Sequence, residues 1–334
     1  MDSEHTTLKA YCNCLAMDKG LDPGGYAGNF DDAVLIETPL PWNREIYHKV
    51  NPLPQEALAL MALWMQRYHE TGAYRHRPLL IAPDAEYSRT GYRRVMFYTR
   101  TTDKIATFDK VEYSVPQEAL GGLLWAFFEA REDLPRFEAY RTPDADNVRD
   151  ILVCTHGTID AACAKFGYPL YHALRHHHTN EALRVWRVSH FGGHVFAPTL
   201  IDMPTGHYWA YVEETQARQI VMRCDDVAAL RGHYRGWAGV EDGFLQAAER
   251  ELWQMHGWDW FVWPKRGVIV LQDADTQHPT WAEVRIEAST PDGTRYAYAL
   301  RVEVSRYIET ITSTGNENTH RYPQYTITQK TRLT

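Results

Sequence analysis

Two short apolar segments that each end in a potential metal ligand most constrain the fold of this chain. ILVC ends at Cys154 and LRVWRVSH ends at His190; eight residues separate Cys154 from Cys163, and three separate His190 from His194. The stretch ACAKFGYPLYHALRHHH, which includes Cys163 and leads toward the histidine pair, has apolar residues at helical spacing. This pattern predicts a strand–helix–strand unit, with loops at the strand ends that present the ligands into one crevice.

The residues after His194 extend this unit. TLIDMPTGHYWAYV is typical of a β-hairpin that turns between Pro204 and Gly206, and DDVAALRGHYRG (residues 225–236) is expected to be a closing helix. A hairpin after a strand–helix–strand unit forms the second half of a thioredoxin-like fold. The N-terminal part of the chain alternates strands and helices in the same style, so the predicted class is α/β (α+β), with duplication as one interpretation. No clear sequence repeat supports the duplication.

Three domains are predicted from this organisation. Residues 1–140 form an N-terminal α/β domain, for which a thioredoxin-like fold is one interpretation, and its first 32 residues are expected to be loop-like. Residues 141–237 carry both ligand pairs, and RTPDADNV is the best linker before them. Residues 238–334 form a C-terminal helix and an antiparallel sheet extension, because GFLQAAERELWQMHGW has an apolar stripe at helical spacing and the later segments alternate polar and apolar residues.

The chemistry of the two pairs suits a small metal or iron–sulfur site. Thiolates and imidazoles are soft or borderline ligands. Gly192 and Gly193 make a helix across the histidine pair unfavourable, and they let a loop wrap closely around a ligand. The residues alone leave two alternatives open. In the first, the cysteines are ordinary buried residues and the histidines are polar loop residues. In the second, the four residues form a structural zinc site.

The composition of the chain indicates which compartment and which partners to expect. The formal charge of −8 argues against a nucleic-acid partner, and no apolar stretch reaches the length of a membrane span. The N-terminal MDSEHTTLKAYCNC lacks the apolar region of a signal peptide. Five cysteines, an odd and low number, fit a reducing compartment better than a disulfide framework. We therefore expect a soluble cytoplasmic protein without nucleic-acid or membrane partners.

A family resemblance adds to this reading. CTHGTIDAACAKFGYPLY and RVWRVSHFGGHVFAPTLIDMPTGHYW resemble the sucrase/ferredoxin-like family, whose bis-histidinyl members carry Cys-x8-Cys and His-x-Gly-Gly-His. The likeness is densest over residues 150–236. It implies a thioredoxin-like ferredoxin domain over 141–237, with a [2Fe–2S] cluster as cofactor. The implied cluster and metal ligands are Cys154, Cys163, His190 and His194.

The resulting functional prediction is a one-electron carrier with separate, unidentified redox partner proteins; the oligomeric state stays open. Histidine ligands raise the potential of such clusters and have a second ring nitrogen, so proton and electron uptake are predicted to be coupled. A stand-alone enzyme is disfavoured, because a redox-active CxxC is absent and nothing indicates two carboxylates that flank a sugar bond. The alternatives are a redox or iron sensor with the same cluster, or a structural zinc protein.

Several other residues receive lesser predictions. Cys12 and Cys14 are interpreted as structural or incidental, with a redox pair or extra ligands as the alternative. Cys224 is expected to be a buried small hydrophobic residue. No role is assigned to the segment Tyr234–Trp237 or to Gln246. The remaining candidates are polar residues near the ligands or at the predicted helix end, for which solvation or a favourable helix terminus is the simpler explanation: Lys165, Tyr168, Arg187, His172, His176, His177 and His178.

Overall fold

The computed structural model describes residues 11–49, 52–72 and 75–333, in which two β-sheets and the helices around them form the fold. The α-helices are α1 (Cys12–Asp18), α2 (Gln55–Thr71), α3 (Leu120–Phe128), α4 (Ala161–His177), α5 (Glu214–Met222) and α6 (Gly243–His256). The strands are β1 (Asp32–Glu37), β2 (His76–Ile81), β3 (Tyr92–Thr99), β4 (Asp109–Pro116), β5 (Arg149–Cys154), β6 (Leu183–Val188), β7 (Leu200–Met203), β8 (His207–Trp209), β9 (Tyr234–Trp237), β10 (Lys265–Gln272), β11 (Trp281–Ser289), β12 (Arg295–Ile311) and β13 (Thr319–Leu333).

The larger sheet repeats one strand arrangement. Its order is β4-β3-β1-β2-β6-β5-β7-β8-β9. In the first half, β1 and β2 are parallel, and the antiparallel strands β3 and β4 are added beside β1. In the second half, β5 and β6 are parallel, and the antiparallel strands β7 and β8 are added beside β5. The strand–helix–strand unit with a following hairpin is thus present as predicted. The two halves of the sheet therefore have the same strand arrangement. This agrees with the duplication that the sequence suggested, although the sequence contains no clear repeat.

The two halves join where the C-terminal ends of β2 and β6 meet. Ile81 pairs with Val188 in antiparallel register, and the Ser189 amide donates to the Leu80 carbonyl at 2.8 Å. The central strands β1 and β5 are buried along almost their whole length. They consist of near-continuous apolar runs, as parallel strands covered on both faces do.

A buried ionic cluster connects the two halves at the other end of β5. The Asp150 carboxylate accepts hydrogen bonds from Tyr98 (2.7 Å), Arg184 (2.9 Å) and Trp186 (2.7 Å), and it pairs with Lys110. Burial by itself raises the pKa of Asp150, but Arg184 and Lys110 outweigh burial and hold this pKa at about 2. The carboxylate therefore stays ionised in the folded protein, because its buried charge is paired.

The C-terminal extension is a helix packed on a four-stranded antiparallel sheet, as predicted. The order of this sheet is β10-β11-β12-β13, and α6 lies against it with most of its side chains buried. Strands β12 and β13 form a long hairpin whose turn lies between Ile311 and Thr319. Arg250 on α6 forms a salt bridge with Asp22, which ties the extension to the N-terminal segment.

Three local predictions are wrong. Residues 12–18, expected to be a loop, form α1, whose Cys12, Asn13 and Ala16 are buried. The helix expected around residues 225–236 is a 3-10 helix, Val227–His233, followed by β9, because pairing with β8 extends the chain there. Strand β6 ends at Val188, two residues before His190, and the loop starts at that point. The predicted domain boundaries stay predictions.

Candidate metal centre

The two cysteines come together because α4 packs on the end of β5. Cys154 is the last residue of β5, and Cys163 lies in the first turn of α4. A Cβ added at Gly167 would overlap the carbonyl oxygen of Cys154, so only glycine lets the helix approach the strand this closely. The Asp160 carboxylate accepts from the Ala162 amide at 2.8 Å and begins the helix at this position.

Three of the predicted ligands converge at the C-terminal edge of the β5–β6 pair. The Nδ1 of His190 lies 3.8 Å from the Sγ of Cys154 and 3.6 Å from the Sγ of Cys163. The three ligand atoms lie within 4.8 Å of one another. Both cysteines are 2% exposed, while His190 is half-buried. These residues form a group that can bind a metal.

The two thiols differ in acidity. A hydrogen bond from Cys163 lowers the pKa of Cys154 well below its usual value; burial opposes this effect, and His190 supports it. The same hydrogen bond raises the pKa of Cys163, and burial raises it further. One thiolate therefore forms readily, whereas the second needs a nearby cation. Metal ions supply that cation, because a coordinated thiol is deprotonated.

His194 lies beside this group but outside it. Its ring stacks on that of His190, with centroids 5.3 Å apart. Its Nε2 donates to the backbone carbonyl of Thr312 and lies 4.0 Å from an Asp160 oxygen. Its Nδ1 is buried and has no hydrogen-bond partner in the described part of the chain. With the proton on Nε2, Nδ1 carries the free lone pair that a metal ligand requires.

The donor set fits either a [2Fe–2S] cluster or zinc. Two buried thiols and the Nδ1 atoms of two neighbouring histidines are ligands for both. The orphaned Nδ1 of His194 is the observation that carries this fit, since a buried ring nitrogen without a partner is costly unless it binds something. The predicted four ligands thus divide into a group of three and an adjacent fourth.

Arg235 is a site residue that the sequence reasoning missed. Its Nη1 donates to the Gly192 carbonyl at 3.2 Å, and its Cζ would lie 2.8 Å from a Cβ at Gly193. Gly192 and Gly193 have φ values of +96° and +77°. The guanidinium therefore packs against the loop between the histidines and leaves no room for a side chain at Gly193. The available signal was the glycine pair together with the unassigned segment Tyr234–Trp237.

The other cysteines lie outside the group of three. Cys12 is fully buried, and its Sγ is 3.8 Å from both Asp160 oxygens, so α1 packs beside the centre. Burial raises the pKa of Cys12 to about 11. Cys14 is half-buried. The prediction for Cys224 is wrong: it is half-exposed and its Sγ lies 3.5 Å from an Asp225 oxygen, because it follows the end of α5.

The remaining candidates have structural contacts. His172 and His176 stack near the C-terminus of α4, with centroids 4.0 Å apart. Arg187 lies over the ring of Tyr168, 5.1 Å from its centroid. Gln246 on α6 donates to the Ala27 carbonyl at 3.0 Å and accepts from the Ala27 amide, so it ties down the N-terminal segment.

Comparison with known proteins supports the resemblance. The model of the family described as sucrase/ferredoxin-like matches residues 23–236. The chain belongs to the sucrase/ferredoxin-like family. The matched region contains both motifs of the candidate metal centre and ends just after Arg235. Comparison with curated proteins and with solved structures gave no significant match. Within the described ranges, no helix has the length and apolar character needed to cross a membrane.

Proposed function

We propose that this sucrase/ferredoxin-like protein carries single electrons on a [2Fe–2S] cluster bound by Cys154, Cys163, His190 and His194. The observation that carries the proposal is the convergence of both thiols on the Nδ1 of His190, beside the Nδ1 of His194, which has no hydrogen-bond partner among the described residues. The ligand types are segregated, with the cysteines side by side and the histidines stacked. This arrangement suits a cluster in which each iron takes two protein ligands of one type.

The bound cluster would supply a one-electron couple, and the protein residues would anchor and insulate it. Cys154 and Cys163 hold it from the buried side. Thr312 fixes the ring of His194 through Nε2. His190 is half-buried and lines an apolar groove of about 920 Å³ beside α2. Electrons would therefore enter and leave at the His190 edge, where separate donor and acceptor proteins would dock.

A zinc site is the second candidate, and two distances favour it. Zinc–sulfur bonds of about 2.3 Å and zinc–nitrogen bonds of about 2.0 Å place tetrahedral ligands about 3.5 Å apart. The separations of 3.6 Å and 3.8 Å from His190 to the two sulfurs are close to that value. Zinc would make the centre structural, without electron transfer. Proton coupling and a sensor role stay predictions.

The deciding experiment is purification of the protein without oxygen, with iron, acid-labile sulfide and zinc counted per chain. The proposal predicts about two irons and two sulfides, a visible absorption band that bleaches on reduction, and an electron paramagnetic resonance signal from the reduced form. One zinc per chain, no sulfide and no colour would establish the structural alternative and overturn the proposal.

A further inference from the structure

A second pocket lies directly against the loop that joins the two histidines. It has a volume of about 350 Å³, and its wall contains Arg77, Arg235, the backbone from Gly192 to His194, and Tyr26. Among the described residues, no aspartate or glutamate lines it. A Cβ added at Gly192 would meet no atom within 4 Å, so the pocket has free space beside the loop.

Arg235 is a buried cation in this pocket, and no described residue gives it a carboxylate partner. It is 2% exposed, and its guanidinium donates to the carbonyls of Gly192 (3.2 Å) and Tyr26 (2.6 Å). Its Nε has no hydrogen-bond partner within the described residues. The rings of Phe196 and Tyr208 lie 5.1 Å and 5.5 Å from its Cζ, which stabilises the charge without neutralising it.

The other buried arginines of the described chain each form a salt bridge with a carboxylate. Arg184 pairs with Asp150 and Glu112, and Arg250 pairs with Asp22. Buried charges are usually paired, because an uncompensated one is strongly destabilising. Burial accordingly lowers the pKa of Arg235 to about 10, and the groups that oppose this shift are the phenols of Tyr208 and Tyr211 and the thiol of Cys154.

Two further polar groups point to the same place. A Cβ on Gly28, which lines the pocket, would lie 3.0 Å from Nη2 of Arg77 and 3.1 Å from the hydroxyl of Tyr208. Tyr208 is fully buried, and its hydroxyl has no partner among the described residues. The guanidinium groups of Arg235 and Arg77 therefore line one small volume, the Tyr208 hydroxyl lies behind Gly28, and none of the described lining residues is acidic.

We propose that this pocket binds a small oxyanion, a carboxylate or phosphate group held between Arg77 and Arg235. The planar guanidinium matches two oxygens of such a group. The bound anion would neutralise Arg235 and lie next to His194. The proposal is independent of which metal occupies the centre.

The test is anion binding to the full-length protein as purified, with its metal content recorded. Thermal unfolding and calorimetric titration are followed with phosphate, sulfate and acetate, against chloride at equal ionic strength. A saturable stabilisation by at least one oxyanion is expected, since a ligand that binds only the folded state raises its stability. Arg235→Gln and Arg77→Gln should weaken this binding at least tenfold, and Arg235→Lys should weaken it less. Arg93→Gln, on a different cavity, is the matched control and should leave binding unchanged.

Three results would overturn the proposal. One is the absence of any saturable difference between the oxyanions and chloride. Another is equal anion binding in Arg235→Gln, Arg77→Gln and wild type, which would place the anion elsewhere. The last is loss of metal from Arg235→Gln while wild type binds no anion, which would make Arg235 the counter-charge of the metal centre. None of these results alters the iron, sulfide and zinc counts of wild type, so failure here is separate from failure of the proposed electron transfer.

Discussion

The hydroxyl of Thr314, in the turn of the C-terminal hairpin, donates to the carboxylate of Asp160 at 2.7 Å, and the Thr314 amide donates to it at 2.8 Å. Asp160 begins the helix that carries Cys163, and Cys12 contacts the same carboxylate. Burial raises the pKa of Asp160, but the hydrogen bonds from Ala162 and Thr314 outweigh burial and lower it. Cys12 and Thr314, which lie on either side of the family-matched region, thus contact the residue that begins the Cys163 helix at the candidate metal centre.

Replacing Asp160 by alanine should lower both stability and metal retention. The helix loses its N-cap, which costs about 1–2 kcal/mol of unfolding free energy, and the hairpin turn loses its anchor beside His194. Asp242→Ala is the matched control, because Asp242 caps α6 through the Phe244 amide at 2.7 Å. Both variants should lose similar stability in urea unfolding, but only Asp160→Ala should release metal faster to a chelator. Equal release from both variants would contradict a role for Asp160 at the centre.

The cysteine ligands are tested by serine substitution. Cys154→Ser and Cys163→Ser should each reduce metal affinity by more than about tenfold, because a ligand contributes at least as much as its supporting residues. Cys224→Ser should keep full metal content, since Cys224 is half-exposed and is not part of the group. Metal analysis after dialysis measures the difference. Full occupancy in both ligand variants would remove the cysteines from the site.

The histidine outside the group of three needs a spectroscopic test. In protein labelled with ¹⁵N-histidine, pulsed electron paramagnetic resonance of the reduced state should show two nitrogen couplings. His194→Ala should remove one of them, because its buried Nδ1 is the free donor beside His190. His176→Ala, exposed near the end of α4, should leave both couplings in place. Two couplings that survive in His194→Ala would assign the fourth ligand to another residue.

Because Gly193 contacts Arg235, its replacement by alanine should destabilise the protein more than the same change at another glycine with positive φ. Gly193→Ala combines the strain of φ +77° with overlap of the guanidinium, and we expect a loss of about 2–4 kcal/mol of unfolding free energy. Gly91→Ala has a similar φ of +81° but open space around the added Cβ, so only strain of about 1 kcal/mol should appear. Denaturant unfolding of the two variants compares them directly. Equal losses would show that the guanidinium moves away without cost.

The Asp150 cluster predicts acid sensitivity. The folded-state pKa of about 2 lies below the unfolded value of about 3.9, so ionised Asp150 stabilises the folded protein above pH 4. This contribution should disappear as the pH falls from about 4 to about 2. Asp150→Asn should cost about 3–5 kcal/mol at pH 7, because Lys110 and Arg184 stay buried without the full counter-charge, and its stability should change less over that pH range.

The surface pair of Asp31 with Arg75 provides the comparison for this prediction. Both side chains are well exposed, and Asp31→Asn should change the unfolding free energy by less than about 1 kcal/mol. Urea unfolding of wild type and both variants at several pH values measures these effects. An Asp150→Asn variant as stable and as acid-sensitive as wild type would show that the cluster does not stabilise the fold.

The local part of this structure was predictable from the sequence. Apolar runs and helical spacing predicted β5, α4 and β6, and the turn residues between Pro204 and Gly206 predicted the hairpin of β7 and β8. Cysteine at the end of a strand and histidine just after the next strand also predicted convergence, because parallel neighbours end at one edge of a sheet. The position of the candidate centre therefore follows from patterns within about 45 residues of sequence.

The support of the centre was decided only by the tertiary structure. Thr312 meets His194 across 118 positions, and Thr314 meets Asp160 across 154. Arg235 packs against Gly193 from a strand on the far edge of the sheet. Such contacts leave no periodic signal, because they depend on how the C-terminal hairpin and β9 dock after the strands have paired. The sequence alone determined which residue types could bind a metal, whereas long-range packing decided which nitrogen of His194 is free and which charge lies behind the loop.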